Sequence, residues 1–482
     1  MEEKKVKNEN ILDNSELKNS LMIENKSSNY YSDFMEKLGF TNLSFYVFTL
    51  ASFLQWIWGS ETCFISINMD FLGQNNGISK FNISLCICIL YSMMGIGASL
   101  VGILCKNFGR IVTLNLTLLI YVFSTVFCSI FFSPLKFYPI FFLRCFGNIS
   151  IGIFNIVVLN LMSEFLPVKN RSLVLMINSG FYNVGNLFTI LLDNYMLDLN
   201  WFNSKNWKII NLITVIPGII SLIIIFFWGS ESPLYLLNKN NINQGFIVIE
   251  YMSKRILSDE EKIKILDSIK IKKQYKLKSE YKELFQNEYK FLTISTLLIC
   301  SICFLNMIGI TYLIPKTLID YKKEIYNISY NIQILIYGII QLPNGIIGGF
   351  MTESKLFGRK NTILVSALGC FFFYFLSVIY IKYVAIYAGM IMLFNSICYG
   401  CSFMYVTEVF PTNLRDLAQS FIQMFSFLLG SFSPLLVGAF NHNFNYVFLG
   451  FSNLVIVFLA LSTIKASQFM LAFLKASFKS SP

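Results

Sequence analysis

Twelve apolar runs, each about 20 residues or longer, constrain this chain more than any other feature of its sequence. They fall near residues 39–66, 81–104, 111–133, 137–163, 172–197 and 207–229, then near 290–317, 330–352, 361–383, 384–408, 415–439 and 444–468. At a rise of about 1.5 Å per residue, each run crosses a hydrocarbon core about 30 Å thick. Lipid offers no partner to a free backbone N–H or C=O, so the runs are expected to be helices. Charged residues make up 13% of the chain, against about 25% in soluble domains, too few to coat a water-facing surface. The expected fold class is an all-α membrane protein with twelve transmembrane helices. Residues 1–35 are polar and show no removable signal-peptide pattern, so the first run is expected to serve as the insertion signal.

The eleven cysteines sit almost entirely inside the apolar runs, where a thiol packs as a small hydrophobe. Cys300-x-x-Cys303 and Cys398-x-x-Cys401 have the spacing of metal or redox pairs, yet both lie within spans and neither has a local histidine. No metal and no cofactor are expected. The net charge of +11 has no soluble basic stripe to display it to nucleic acid. Retention of positive charge on the cytoplasmic side explains it instead.

The longest polar connection runs from Glu231 to Glu288 and is dense in charges of both signs. It divides the chain into a polar tail at 1–38, a six-helix bundle at 39–229, a linker at 230–288, a second six-helix bundle at 289–468 and a tail at 469–482. Lys106, Arg110, Lys169, Arg171, Lys355, Arg359, Lys360 and Arg415 fall on the linker's side, and Lys205, Lys208, Lys322 and Lys323 on the other. With the linker's own lysines, this balance puts the termini and linker in the cytoplasm. The expected location is a multi-pass position in the plasma membrane, with an organelle membrane as the alternative.

The two bundles carry a repeat. Span four ends in Glu164-Phe165-Leu166-Pro167-Val168-Lys169-Asn170-Arg171, and span ten in Glu408-Val409-Phe410-Pro411-Thr412-Asn413-Leu414-Arg415. Both read E-x-x-P-x-x-x-R. Gly109-Arg110 after span two is matched by Gly358-Arg359-Lys360 after span eight. A glutamate at a helix C-terminus opposes the helix dipole unless a cation is near, and proline separates it from the arginine that opens the next helix. Gly109, Arg110, Glu164, Arg171, Gly358, Arg359, Glu408 and Arg415 are therefore candidates for a cytoplasmic gate built of breakable charge pairs. Parallel six-helix repeats of this kind are the architecture of major facilitator transporters, with a solute site at the midplane between the halves.

These residues also carry a resemblance. The chain resembles the branch of the major facilitator superfamily that holds the synaptic-vesicle-glycoprotein-like and organic ion transporters, with sugar porters as more distant relatives. Arg144, Gly152 and Glu164 to Arg171 are similar to its R-x-x-x-G-x-G-x-G…E-F-L-P-x-x-x-R helix, with Asn148 and Ser150 where glycines are usual. Glu231-Ser232-Pro233 is similar to its P-E-S-P element. Leu342-Pro343 through Gly348-Gly349 to Gly358-Arg359-Lys360 is similar to its L-P-G…D-R-x-G-R-K segment, and Gly59-Ser60-Glu61 to the end of its A-D-G-x-E element. Lys106 replaces the aspartate of the loop after span two, Trp58 replaces that of the span-one element, and Glu353 stands near the second-half acid.

The resemblance implies a central cavity lined partly by helices one, four, seven and ten. The polar and aromatic candidates there are Gln55, Trp58, Asn148, Phe304, Asn306 and Tyr399. Glu61 and Arg144 are the clearest charges inside spans, and such charges usually face a bundle interior or a wet cavity. Glu61 either binds a cation, carries a proton or packs as a neutral acid. Arg144 either meets an anion or ties span four to span one. Asp193, near the outer end of span five, is expected at the membrane interface, and His442, the sole histidine, by an outer loop. With no nucleophile, phosphate-loop or acid–histidine cluster in view, the chain is not expected to be an enzyme. The expected function is secondary transport of a small organic ion or nutrient by alternating access, facilitative or proton-coupled, by a monomer. A non-transporting receptor or scaffold on the same fold is the alternative.

Overall fold

A computed structural model describes residues 30–31, 33–131, 136–167, 171–197, 204–239, 241–275, 281–286, 289–321, 329–410 and 414–477, with the side chains of Glu408 and Arg415 outside the described part. The first bundle comprises α1 (Asn42–Asn75), α2 (Lys80–Phe108), α3 (Arg110–Phe131), α4 (Phe137–Phe165), α5 (Arg171–Leu197) and α6 (Ser204–Trp228). The linker folds into α7 (Pro233–Asn238), α8 (Ile242–Ser253) and α9 (Asp259–Tyr275). The second bundle comprises α10 (Lys290–Asp320), the pair α11 (Tyr330–Ile340) and α12 (Asn344–Glu353), α13 (Gly358–Ile379), α14 (Val384–Val409), the pair α15 (Arg415–Gly430) and α16 (Ser433–Ala439), and α17 (His442–Ser477).

Local chemistry fixes these ends. Thr41 and Ser44 cap α1 reciprocally, and the Ser79 hydroxyl accepts from the Asn82 amide to start α2. Pro343 and Pro434 each open a new helix, so spans eight and eleven are broken rather than continuous. Eleven spans are apolar and long enough to cross a bilayer among the described residues. The twelfth, α1, has the length, 34 residues, but carries Gln55, Glu61, Asn68 and Asp70 within it. α1 is thus a span that brings polar groups to the middle of the protein.

The halves are joined along two related seams. On one, α2 packs against α15 and α16; on the other, α5 packs against α11 and α12. Exchange of the halves maps one seam onto the other, as expected of a pseudo-two-fold repeat. Within the first half, α1 lies against α5 and α2 against α4. The halves are also tied at the end remote from the linker, where the Tyr312 hydroxyl of α10 donates to Asp70 of α1 at 3.0 Å and Lys316 approaches the same carboxylate at 3.5 Å. A vestibule of about 270 Å³ surrounds this tie.

Candidate functional site between the halves

Trp58 of α1 is the hub where the halves meet. Its indole lies nearly parallel to Phe304 of α10 at 6.3 Å and edge-on to Tyr182 of α5 at 4.8 Å. Tyr399 of α14 and Phe427 of α15 complete the cluster, each 6.0 Å away. Rings from both bundles therefore close the middle of the protein, in the offset and edge-to-face geometries that aromatic quadrupoles favour.

On the linker side of this cluster lies a cavity of about 60 Å³, reaching to Ser163, one residue short of Glu164. One water needs roughly 10 to 15 Å³, so the space holds a few waters or a small rigid solute. Among the described residues its lining contains no charged side chain. Gln55 donates to Asn155 at 2.8 Å, and the Gln423 amide donates to the Tyr399 hydroxyl. The indole N–H of Trp58 and the amide oxygens of Gln419 and Gln423 are buried without a hydrogen-bond partner among the described residues. Buried polar groups rarely stay unpaired. One donor and two acceptors are thus available to a solute.

Of the residues expected in the cavity, Gln55, Trp58 and Tyr399 line it, while Phe304 backs Trp58 without reaching it. Two others, Asn148 and Asn306, turn away from it. Asn148 lies about two turns beyond Asn155, past the cavity's end, and donates to the Arg144 carbonyl at 2.8 Å. Asn306 precedes the lining residue Met307, and the 100° or so between successive helical residues points it at α17, where it donates to Ser452 at 3.0 Å. Asn155, Gln419 and Gln423 do line the space and were not foreseen. Their signal was present: Gln419 and Gln423 are four residues apart on α15, and Asn155 and Ser163 lie eight apart on α4, so each set shares a helix face.

Glu61 and Arg144 form a buried ion pair inside the first half, with side chains 2% and 1% exposed. The guanidinium also donates to Asn211 of α6 and lies over the Phe64 ring at 4.3 Å. Neither partner lines the cavity. The pair spans α1, α4 and α6, and each charge offsets the desolvation cost of the other.

At the linker end, Gly109 and Gly358 both adopt positive φ, +93° and +61°, so α3 and α13 begin at once after α2 and after the loop that follows α12. Arg110 pairs with Glu164 at 2.7 Å and covers the Tyr235 ring at 4.9 Å. Arg171 instead donates to the Leu166 carbonyl of its own loop at 3.2 Å. Glu231 accepts from the Ile111 amide at 3.1 Å and so caps α3 from the linker. Sequence reading missed that role, although the aspartate absent at Lys106 marked a helix start in need of an acid. In the second half, Glu353 accepts from the Ser172 hydroxyl, and Arg359 donates to the same oxygen at 3.4 Å, so this contact crosses between halves.

Comparison with known proteins agrees with this architecture. The sequence profile of the Major Facilitator Superfamily matches residues 44–434, and a further match covers 299–474. The chain is 22% identical over 389 residues to the "Niacin transporter NiaP" of Acinetobacter baylyi, covering 80% of this chain and 84% of that protein. It is 23% identical over 244 residues to human "Solute carrier family 22 member 13", covering 49% of this chain but only 41% of that protein. The fold is similar to that of the proton:xylose symporter XylE bound to 6-bromo-6-deoxy-D-glucose, with a TM-score of 0.70 at 18% identity, covering 87% of this chain and 95% of that one. The inward-open form of XylE from E. coli gives 0.67 at 20% identity, covering 88% and 96%. A transporter-family profile spanning both six-helix halves, together with their seams and the cavity between them, leads to one conclusion: this chain is a multi-pass membrane protein that belongs to the Major Facilitator Superfamily.

Proposed function

We propose that this protein carries a small, flat organic solute with hydrogen-bonding edges across a membrane, by rocking its two halves about the Trp58 cluster. The observation that carries the reading is the cavity shared by both halves, which among the described residues has no charged lining, one unpaired indole donor and two unpaired amide oxygens. Aromatic walls suit a ring, and buried amides favour a solute that satisfies them. A niacin transporter among the relatives has a cargo of this size and shape, which supports the class without fixing the compound. The termini and linker are assigned to the cytoplasm, the protein to the plasma membrane and the working unit to a monomer. Arg110–Glu164 and the Glu353–Ser172–Arg359 contact, with the Glu408 and Arg415 loop, serve as cytoplasmic latches that change partners during the cycle.

Uptake into proteoliposomes, screened across heteroaromatic carboxylates, organic cations and sugars, tests the reading. Saturable uptake of a heteroaromatic solute is expected, with KM raised by Gln423→Ala and by Trp58→Ala. Folded protein that neither binds nor moves any class would overturn it in favour of a receptor or scaffold. Collapse of the proton gradient by an uncoupler separates the coupling modes. A proton-driven carrier loses accumulation against a gradient and keeps exchange, whereas uptake by a facilitative one is unchanged.

A further inference from the structure

Asp193 of α5, near the outer end of its span, faces the protein interior. Its side chain is 3% exposed, packed inside the protein. Among the described residues it has no ion-pair partner, and its one hydrogen-bonding neighbour is Asn68 of α1, itself fully buried. The Asn68 amide nitrogen stands 3.3 Å from each carboxyl oxygen. The Asn68 carbonyl oxygen has no donor among the described residues. A protonated carboxyl would supply that donor once the amide turns from its symmetric position, so that its N–H meets one carboxyl oxygen and its own oxygen accepts from the other, a two-bond ring. An isolated charge at such a depth neutralises rather than bear the cost of leaving water.

We propose that Asp193 and Asn68 form a proton site whose occupancy follows the separation of the two halves at the end remote from the linker. The titratable groups that face Asp193 are the Cys63 thiol of α1 and the Tyr330 hydroxyl of α11. The nearby charges on α1 are engaged elsewhere, Glu61 by Arg144 and Asp70 by Tyr312 and Lys316, and Lys208 of α6 donates to the Ile130 carbonyl. Tyr330 belongs to the second half, and the adjacent Asn194 donates to the Asn331 carbonyl of that half at 2.9 Å. Parting of the halves here breaks that bond, draws the α11 cover off Asp193 and lets water stabilise the carboxylate, so the proton leaves to that side. Closure takes a proton up again.

The coupling of this proton to solute flux rests on the carrier reading above; the site itself does not. Infrared spectra of the purified protein in lipid nanodiscs, titrated with acid and base, should show a protonated-carboxyl C=O band. The band is lost in Asp193→Asn and kept in Glu61→Gln. Asn68→Ala, which removes the ring partner, should shift the band and its titration midpoint, and it serves if Asp193→Asn fails to fold. An unchanged band in Asp193→Asn, or an unshifted one in Asn68→Ala, overturns the proposal. In proteoliposomes, Asp193→Asn should lose the pH dependence of uptake. A wild-type protein that moves no solute would sink the carrier reading and leave the infrared result standing.

Discussion

In the first half, Gly59 of α1 faces the Tyr182 carbonyl of α5, and Gly185 of α5 faces the Trp56 carbonyl of α1. A Cβ on either would come within 1.8 and 2.0 Å of those oxygens. The α2 and α4 pair repeats the device with Gly97 and Gly152, at 2.1 and 2.0 Å. In the second half, Gly309, Gly369 and Gly389 meet side chains first, Gly348 meets the Met176 side chain of α5 across the seam, and Gly430 meets the Phe304 ring before the α10 backbone at 3.0 Å. Its seam spans are broken at Pro343 and Pro434, whereas α2 and α5 run unbroken. The charges differ as well. Ala388 stands 244 residues after Arg144, the spacing of the two E-x-x-P-x-x-x-R motifs, so the repeat position of the buried arginine is neutral. One half is held backbone to backbone around an ion pair, and the other by side chains that can repack. A rigid half and an adaptable half are a natural division for a protein whose halves must rock.

The largest effect expected from this contrast is that of Arg144→Ala, which leaves Glu61 buried without its cation and should cost about 3 to 5 kcal/mol. Thermal unfolding in detergent reads it, and a loss no larger than that of Asn306→Ala would break the comparison. Next comes Gly185→Ala, where α1 must move off α5 because a backbone oxygen cannot yield, at about 1 to 3 kcal/mol. Gly348→Ala should be close to neutral, since its obstacle is the flexible Met176 methyl end, and the gain over glycine in a helix, about 0.5 to 1 kcal/mol, offsets the crowding. Equal destabilisation by these two alanines would remove the rigid and adaptable distinction. Asn306→Ala falls between the two alanines, at about 0.5 to 1.5 kcal/mol for each of its two hydrogen bonds with α17, the one it donates to Ser452 and the one it accepts from Asn453. A larger loss would show that the second half also depends on a polar lock.

The elements that repeat locally were legible in the sequence. Gly109 and Gly358 mark the same turn in each half because only a residue without a Cβ takes positive φ freely there. The paired span-four and span-ten motifs located the linker-end loops, and the apolar runs located the spans. What stayed hidden was partner choice. Glu164 lies seven residues before Arg171 yet pairs with Arg110, because the α2–α3 hairpin delivers that cation and no local spacing encodes the delivery. Asp193 reads as an end-of-span acid, and only the packing of α1 and α11 over it shows its burial. Polar cavity residues such as Gln419 and Gln423 carry a helical period that matches any amphipathic face, and the opposing half decides which faces are wet.

The aromatic cluster at Trp58 also shapes an electric field. Spaces large enough for water lie on both sides of it, the mostly apolar linker-side cavity ending at Trp58 and the far vestibule beginning at Ser66 of the same helix. Eight residues of α1 separate those levels, about 12 Å, against a hydrocarbon core of about 30 Å. A membrane potential falls mainly across the poorly conducting layer between two watery spaces, so most of it drops over this septum. A unit charge that crosses the ring cluster, whether on a solute or as a proton, therefore meets nearly the whole potential in one short step, about 2.3 kcal/mol per 100 mV. Net charge moved per cycle would then make turnover voltage-dependent even though no charged side chain among the described residues lines the cavity.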